Sequence, residues 1–420
     1  MKYRPDAAFA AEMDAQDPLA KFRAQFHIPQ HEGRDCIYFC GNSLGLQPKA
    51  VEGAMAQELA DWKNLGVEGH FHGKHPWMPY HEFVAENAAY VVGAKAAEVV
   101  MMNGLTANVH LMMVSFYRPT KARYKILIEY TPFPSDIYVV QSQAKFHGFD
   151  PADAIIEMKP RDGEHTLRQE DIEEVIAREG QSIALILIGG VHYYTGQFFD
   201  IARITEAGHK QGCMVGFDLA HAAGNVLLKL HDWNVDFACW CSYKYLNSGP
   251  GAVAGVFVHE RHAKSFDLPR FAGWWGNDKS VRFKMGPHFQ PMEGAEGWQL
   301  SNPPIFALAP ARVSLDIFRE AGMENLRKKS AQLTGYLEFL LHGLKLASLK
   351  IMTPANDTER GCQLSITVQG NGRKVFEALQ KAGVVCDWRE PDCIRVAPVP
   401  LYNSFTDVYR FVEIFKGAAA

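Results

Sequence analysis

The chain has 420 residues, of which 47% are hydrophobic and 21% charged, as is typical of a folded soluble protein. Its 43 basic and 47 acidic residues give a net charge of −4 without a block of like charge, which argues against nucleic acid as a partner. The N-terminal stretch is interrupted by acids and a proline, and the most apolar windows are much shorter than the ~20 residues that span a bilayer. We therefore expect a cytoplasmic protein that does not associate with membranes.

The predicted elements begin with a helical stretch over residues 1–35, which with a short apolar piece forms an N-terminal segment of residues 1–40. A glycine-rich turn at 41–46 precedes a helix over 48–65, on which Val51, Met55, Leu59 and Trp62 share one face. Helical stretches then alternate with short apolar runs up to about residue 290. The helices are predicted at 80–92, 105–116, 168–178 and 201–211, and the strands at 99–101, 125–129, 184–188, 214–218, 237–242 and 254–258.

This alternation predicts an α/β domain with a mostly parallel sheet that is buried on both faces. A long helix over 305–346, broken near 321–322, leads to a C-terminal α+β layer with strands at 363–368, 384–388 and 394–396 and helices at 372–381 and 407–415. We therefore divide the chain into a large α/β domain (41–305) and a linking helix with a small α+β domain (306–420). A cleft between them is the expected site.

Eight cysteines are scattered along the chain without a CxxC pair, at positions 36, 40, 213, 239, 241, 362, 386 and 393. A zinc site would need closer spacing and supporting histidines. We expect reduced, buried thiols and no bound metal.

Lys244 lies where the apolar strand 237–242 runs into a glycine-rich turn. An amine there is nucleophilic because of its low-dielectric setting, although a lysine after a strand is by itself more often a surface residue. Asp218 ends another strand, and His221 follows three residues later. Pyridoxal 5′-phosphate (PLP) needs a lysine for its aldehyde and a carboxylate for its pyridine nitrogen. Lys244 and Asp218 together predict a PLP site, although Asp218 alone could be a helix cap.

Two further segments supply the rest of a PLP pocket. Residues 103–108 follow a strand and open a helix, so backbone N–H groups and the Thr106 hydroxyl can bind a phosphate; Thr106 as a plain N-cap is compatible with this. Phe133 lies in a turn between two prolines, where it could stack on a flat ring or belong to the core. Ser135 and Asp136 follow and could bond to polar cofactor atoms.

Six strings spread over residues 41–405 resemble the kynureninase family. They are GNSLGLQP (41–48), FPSD (133–136), FDLAHA (217–222), DFACWCSYKYLN (236–247), SNPP (301–304) and RVAPVPLYNSF (395–405). The family belongs to fold type I of the PLP enzymes and is related to class V aminotransferases. The resemblance therefore implies a large PLP-dependent transferase (fold type I) domain, a small C-terminal domain, and a homodimer with shared active sites.

The resemblance also implies roles for individual residues. Lys244 would be the Schiff-base lysine and, with Tyr243, a catalytic carrier of protons. Arg395 would hold the substrate α-carboxylate, which suits a guanidinium fork, although a structural salt bridge is the alternative. Trp274 and Asn302 would reach the site from the partner subunit, and Asn302 would also face the substrate. The other cofactor positions are Leu105, Thr106, Phe133, Pro134, Ser135, Asp136, Gly189, Asp218, His221 and Tyr243.

Three positions bear on substrate choice and cofactor affinity. His70 and Ser43 match residues near the aromatic ring of the substrate. A histidine there favours 3-hydroxykynurenine because it can bond to the ring hydroxyl. Gly189 stands where relatives often carry Ser or Thr, so one hydroxyl contact to the cofactor, worth ~1 kcal/mol, is expected to be missing.

The implied reaction is hydrolysis of L-kynurenine, 3-hydroxy-L-kynurenine or both to L-alanine and anthranilate or 3-hydroxyanthranilate. It belongs to tryptophan catabolism by the kynurenine pathway and to NAD biosynthesis. Two rival interpretations stay open. One is another fold type I enzyme, either a class V aminotransferase or a cysteine desulfurase that uses Cys362. The other is a PLP-fold protein with a binding or regulatory role, against which the joint presence of Lys244, Asp218, Thr106 and Arg395 argues.

Overall fold

The computed structural model describes residues 2–419. Its α-helices, in chain order, are α1 (Ala7–Ala15), α2 (Ala20–Arg23), α3 (Ala50–Leu65), α4 (Gly69–His72), α5 (Glu82–Val92), α6 (Leu105–Phe116), α7 (Pro134–Phe146), α8 (Pro151–Ala154), α9 (Gln169–Glu179), α10 (Ile201–Lys210), α11 (Ile305–Ala321), α12 (Met323–Gly343), α13 (Gly372–Lys381) and α14 (Phe405–Ala419).

The β-strands are short, and the longest has seven residues. They are β1 (Gln30–His31), β2 (Arg34–Asp35), β3 (Ile37–Tyr38), β4 (Val99–Met101), β5 (Lys125–Ile128), β6 (Ile155–Glu157), β7 (Ile183–Gly189), β8 (Met214–Asp218), β9 (Phe237–Trp240), β10 (Gly255–Val258), β11 (Leu349–Ile351), β12 (Leu364–Val368), β13 (Val384–Val385), β14 (Asp387–Arg389) and β15 (Cys393–Val396).

A seven-stranded sheet with the order β4-β10-β9-β8-β7-β5-β6 forms the centre of the molecule. The pairings from β9 through β8, β7 and β5 to β6 are parallel, whereas β10 runs antiparallel to both β9 and β4. Along β7, Ile186 and Ile188 enter one apolar cluster, and Leu185 and Leu187 enter another on the opposite face. The sheet is therefore buried on both faces, and the prediction of a mostly parallel α/β sheet is confirmed.

A second, antiparallel sheet with the order β11-β12-β15-β14 forms the C-terminal α+β layer. Its core also contains residues from the N-terminus, because Phe9 and Met13 of α1 pack in the same cluster as Phe411 and Phe415 of α14. The predicted small α+β layer is thus present. The exact division at residues 40 and 305 stays a prediction.

Three predicted elements differ from the structure in their extent. Residues 30–35 form a hairpin of β1 and β2 rather than a helix, because Glu32 and Gly33 turn the chain with φ values of 49° and 76°. The strand predicted over 384–388 is two strands, since β13 pairs with β3 and β14 pairs with β15. The strand predicted over 237–242 ends at Trp240, where the chain leaves the sheet towards Lys244.

Helix α3 buries two of its acidic residues and exposes two of its large apolar residues. Its acidic residues Glu58 and Asp61 are buried, whereas Leu59 and Trp62 are 51% and 59% exposed. Glu58 is held by the Trp77 indole and the Tyr80 hydroxyl, which donate to its two carboxylate oxygens at 2.9 and 2.7 Å. Leu59 and Trp62 of the predicted apolar face therefore point away from the core of their own chain, whereas Met55 packs against it.

No helix within residues 2–419 combines the length and the apolar character that crossing a membrane requires. All eight cysteines are free, and seven of them are buried.

Candidate active site

The carboxyl ends of neighbouring parallel strands bring the candidate residues to one edge of the central sheet. Asp218 is the last residue of β8 and pairs with Gly189, the last residue of β7. Lys244 follows the end of β9, and Glu129 follows the end of β5. Gly45 locks the Lys244 segment in place: its N–H donates to the Tyr243 carbonyl at 2.9 Å, and a Cβ atom there would lie 2.4 Å from the Lys244 carbonyl oxygen.

A cavity of about 250 Å³ opens at this edge. Ten of the residues singled out in the sequence line it, namely Leu105, Thr106, Phe133, Ser135, Asp136, Gly189, Asp218, His221, Tyr243 and Lys244. Pro134 is the first residue of α7, beside Phe133. The structure thus brings most of the predicted cofactor residues together in one pocket.

The amine of Lys244 faces the ring of His221. Its Nζ lies 3.2 Å from His221 Nε2 and 5.6 Å from the centre of the Phe133 ring. Burial lowers the pKa of His221 well below its ordinary value, and the charge of Lys244 lowers it further. The imidazole is therefore neutral, and its Nε2 can accept a hydrogen bond from the amine.

Three carboxyl groups line the pocket, and two of them, those of Glu129 and Asp218, belong to buried residues. Burial raises the pKa of Asp136 well above its ordinary value, and the neighbouring Asp218 raises it further. Burial also raises the pKa of Asp218, but the Ala220 N–H and the Lys244 charge oppose this. For Glu129, burial raises the pKa to about 7. A protonated Asp136 that donates to an ionised Asp218 is the arrangement that these directions support.

These features fit PLP at each of its polar ends. Asp218 is a buried acceptor for a protonated pyridine nitrogen, whose positive charge would offset the acidic groups of the pocket. Helix α6 has no side-chain cap at Gly104, so its first N–H groups are available to a phosphate. Thr106 Oγ1 and Ser135 Oγ lie 2.7 Å apart at the same end of the cavity. Lys244 would supply the amine for the aldehyde.

Two polar side chains of the cavity, those of Glu129 and Tyr193, were not predicted as site residues from the sequence. Glu129 accepts a hydrogen bond from the Gly189 N–H at 3.1 Å. Tyr193 packs edge-on against Phe133, with ring centres 5.3 Å apart. Glu129 could have been recognised, because a carboxylate at the end of an apolar strand was the pattern that pointed to Asp218. Tyr193 lies in a loop without such a pattern.

Besides Pro134, five predicted residues do not line this cavity. Arg395 is 1% exposed and pairs with Asp387 in the small sheet. Trp274 is 42% exposed, and Asn302 is also exposed. His70 lies on α4, where its Nδ1 is 2.9 Å from the Val67 carbonyl oxygen, and Ser43 is half-buried in the turn before Gly45.

The thiol of Cys362 is not placed as a desulfurase nucleophile would be. The residue is completely buried, and burial raises the pKa of its thiol to about 12. Its N–H donates to Asn225 Oδ1 at 2.9 Å, which fixes the segment just before β12. A catalytic thiol needs thiolate character and access.

Solved structures with the same architecture include a cysteine desulfurase from Escherichia coli, with a TM-score of 0.77 and 17% identity over 95% of this chain and 98% of that chain. A mutant of the enzyme C-DES with glycine covalently linked to its PLP cofactor has a TM-score of 0.73 and 16% identity, over 90% of this chain and 96% of that chain. Fold and pocket together define a fold type I PLP enzyme.

The sequence comparisons identify the family within this class. Residues 326–415 match the family model described as the kynureninase C-terminal domain. A protein named kynureninase from Koribacter versatilis is 62% identical over 408 residues, which cover 97% of this chain and 96% of that protein. The chain belongs to the kynureninase family. It is accordingly an enzyme, a hydrolase that acts on a C–C bond, and its cofactor is PLP.

Proposed function

We propose that this chain hydrolyses the Cβ–Cγ bond of L-kynurenine, 3-hydroxy-L-kynurenine or both. The products would be L-alanine and anthranilate or 3-hydroxyanthranilate, as a step of tryptophan catabolism and NAD biosynthesis. The observation that carries the proposal is that Lys244, Asp218 and Asp136 converge on one buried cavity in a chain of this family. The free, mostly buried cysteines are consistent with a reducing compartment, and we place the enzyme in the cytoplasm.

Each cavity residue has a proposed role towards PLP, which when bound supplies a protonated pyridine ring as an electron sink. Lys244 binds the aldehyde carbon, Asp218 holds the proton on the pyridine nitrogen, and Phe133 packs against the ring. The first turn of α6, with Leu105 and Thr106, binds the phosphate, and Ser135 assists. Asp136 and His221 fix the positions of Asp218 and Lys244.

Lys244 and Tyr243 are the proposed carriers of protons. Once the substrate amine has taken its place, the Lys244 Nζ is free to remove the α-proton and to return a proton to the cofactor side. Burial raises the pKa of the Tyr243 phenol, so it acts as a proton donor rather than a phenolate. General acid–base catalysis of this kind contributes ~10²–10⁴-fold to a step.

The reaction is tested by incubating the purified, PLP-loaded protein with kynurenine and with 3-hydroxykynurenine separately, and quantifying alanine and the aromatic amine. We expect equal amounts of both products and none with Lys244→Ala. Cleavage without alanine, or release of sulfide from cysteine instead, would contradict the proposal.

The substrate preference follows from His70 and Ser43, which we place beside the aromatic ring of the substrate. If the Nδ1–H of His70 donates to the Val67 carbonyl at 2.9 Å, Nε2 is left as an acceptor for a ring hydroxyl. We therefore propose that 3-hydroxykynurenine is preferred. His70→Phe should lower kcat/KM for this substrate more than for kynurenine, and a wild-type kcat/KM for kynurenine that equals or exceeds the other would refute the preference.

We propose a homodimer in which each subunit completes the site of the other. Leu59 and Trp62 of α3, Phe71 of α4 and Phe306 of α11 are 51%, 59%, 56% and 41% exposed. The rings of Trp62 and Phe306 pack beside each other with their centres 5.9 Å apart. Exposed aromatic residues in such number are typical of an interface. The exposed Trp274 and Asn302 would reach the partner's cavity.

The dimer is tested by light scattering coupled to size-exclusion chromatography. Trp62→Glu should shift the protein towards monomer and lower activity. Phe146→Glu replaces an aromatic residue that is 78% exposed on α7 and serves as the control. A Trp62→Glu protein that stays dimeric and fully active would contradict this interface.

A further inference from the structure

The guanidinium group of Arg395 is held by a carboxylate of its own chain. Asp387 and Arg395 are directly opposite each other on β14 and β15. Arg395 Nε and Nη2 donate to the two carboxylate oxygens of Asp387 at 3.1 and 2.6 Å, and Nη1 donates to the Tyr193 carbonyl at 2.8 Å. With Arg395 1% exposed and Asp387 10% exposed, this contact fixes the orientation of the fork.

A second arginine shares the same carboxylate. Arg389 follows Asp387 by two residues on β14, and its Nη2 donates to Asp387 Oδ2 at 3.0 Å. Its side chain remains 36% exposed, and its buried Nε has no hydrogen-bond partner within the described residues. Two guanidinium groups around one carboxylate leave a net charge of +1, which equals the charge that one further carboxylate would neutralise.

The positive charges of both arginines reach the cofactor cavity. Arg395 and Arg389 each lower the pKa of His221, after the larger effects of burial and Lys244. Tyr193, whose carbonyl Arg395 holds, lines the cavity and packs against Phe133. The two arginines therefore act on the pocket through their positive charge, and Arg395 also contacts it through the Tyr193 carbonyl.

We propose that Asp387 and Arg389 are positioning and specificity residues for the substrate α-carboxylate. Asp387 holds one edge of the Arg395 guanidinium so that its remaining N–H groups face the substrate. Arg389 provides the unmatched positive charge, without which the neutral Asp387–Arg395 pair would acquire a net negative charge on binding. This inference rests on the proposed role of Arg395 in binding the substrate carboxylate.

The test compares Kd values for kynurenine and for kynuramine, its analogue without the carboxylate, from the change in cofactor absorbance of the loaded enzyme on rapid mixing, before product is released. Arg389→Gln should weaken kynurenine binding about tenfold and change kynuramine binding less than about twofold, because only kynurenine presents the carboxylate. Arg389→Lys, which keeps the charge, should restore most of the loss. Arg178→Gln removes an arginine exposed on α9 and is the matched control.

The direction in which Asp387→Asn changes the Kd for kynurenine distinguishes a positioning role of Asp387 from a purely electrostatic one. A positioning role predicts weaker kynurenine binding although a negative charge has been removed, and tighter binding would overturn it. Equal effects of Arg389→Gln on both ligands would also overturn the inference, and this variant decides alone if Asp387→Asn does not load PLP. Arg395→Gln tests the underlying role: an unchanged ratio of the two Kd values would refute carboxylate binding by Arg395 itself.

Discussion

Lys244 Nζ lies 3.2 Å from His221 Nε2, at the floor of a cavity that also holds the carboxyl groups of Asp218 and Asp136. His221 is kept neutral by burial and by the charge of Lys244, which lower its pKa. Its carbonyl accepts a hydrogen bond from Asn225 Nδ2 at 2.8 Å, so the backbone that carries the ring is also fixed. The neutral ring therefore orients a flexible amine that the proposed reaction uses repeatedly.

Replacing His221 should impair catalysis through this contact. His221→Leu removes the acceptor and lets the Lys244 side chain sample other rotamers, so we expect kcat to fall by roughly 10- to 100-fold. His221→Gln offers an amide oxygen at a similar reach and should recover part of the loss. Steady-state kinetics with matched PLP content measure this, and a His221→Leu protein with wild-type kcat would show that the contact is dispensable.

Glu129 should make the stability of the apoenzyme depend on pH. Burial raises its pKa in the folded state to about 7, above the value of about 4.3 for an unfolded chain. Its contribution is therefore fully present below about pH 4.3 and is lost as the pH rises to about 7. Relative to wild type, Glu129→Gln should become more stable over this window by roughly 3 kcal/mol.

Urea unfolding of the apoenzyme at several pH values measures the Glu129 effect. Glu174→Gln alters a side chain that is 76% exposed and should differ from wild type by a constant, small amount. A stability difference for Glu129→Gln that does not change with pH would contradict the prediction.

We predict that position 189 must be glycine, because a side chain there would collide with Glu129. A Cβ atom at Gly189 would lie 2.9 Å from Glu129 Oε1, and this carboxylate is already bonded to the Gly189 N–H. Gly189→Ala should lower the free energy of unfolding by roughly 1–3 kcal/mol and weaken PLP binding. Gly104→Ala is the control in the same cavity, because a Cβ atom there meets nothing within 4 Å. Equal effects of the two substitutions on the free energy of unfolding of the apoenzyme would count against the steric explanation.

Asp236 should be a stabilising residue far from the active site. Burial alone would raise its pKa, but hydrogen bonds from His209 and His262 and the charge of Arg261 outweigh this and lower it. It also accepts the Val215 N–H at 2.7 Å and so joins the starts of β8 and β9. Asp236→Asn should cost roughly 2–4 kcal/mol at pH 7, since it removes the counter-charge of the partly buried Arg261 and a carboxylate that accepts hydrogen bonds from two histidines.

The pH dependence of the free energy of unfolding tests the stabilising role of Asp236. Because the folded-state pKa is lowered, the contribution is present above about pH 4 and is lost as the pH falls below that value. Urea midpoints of wild type and Asp236→Asn should therefore converge as the pH is lowered. Asp171→Asn, which breaks the surface pair with Arg161, should change the midpoint little. A gap between Asp236→Asn and wild type that widens towards low pH would contradict the prediction.

Much of the fold could be predicted because its signals are local. Runs such as β7 are apolar at every position and the flanking helices have their own periodicity, so the alternation of elements was readable in one dimension. The antiparallel direction of β10 could not be predicted from the sequence, since a four-residue buried strand carries no information about the direction of its neighbours. The outward orientation of Leu59 and Trp62 on α3 was also hidden, because periodicity indicates which residues share a face but not what covers that face.

For the site, the sequence by itself determined which residues we propose to carry the chemistry: Lys244, Asp218, Thr106 and Phe133 each stand at an element boundary with a recognisable motif, and the strings spread along the chain pointed to the family. Only the tertiary structure decided how they meet. The pairing of β7 with β8 sets Gly189 beside Asp218, the loop after β7 brings Tyr193 to Phe133, and the register of β14 on β15 places Asp387 against Arg395. Such contacts join residues distant in the chain, and their energies depend on burial and geometry that no local pattern encodes.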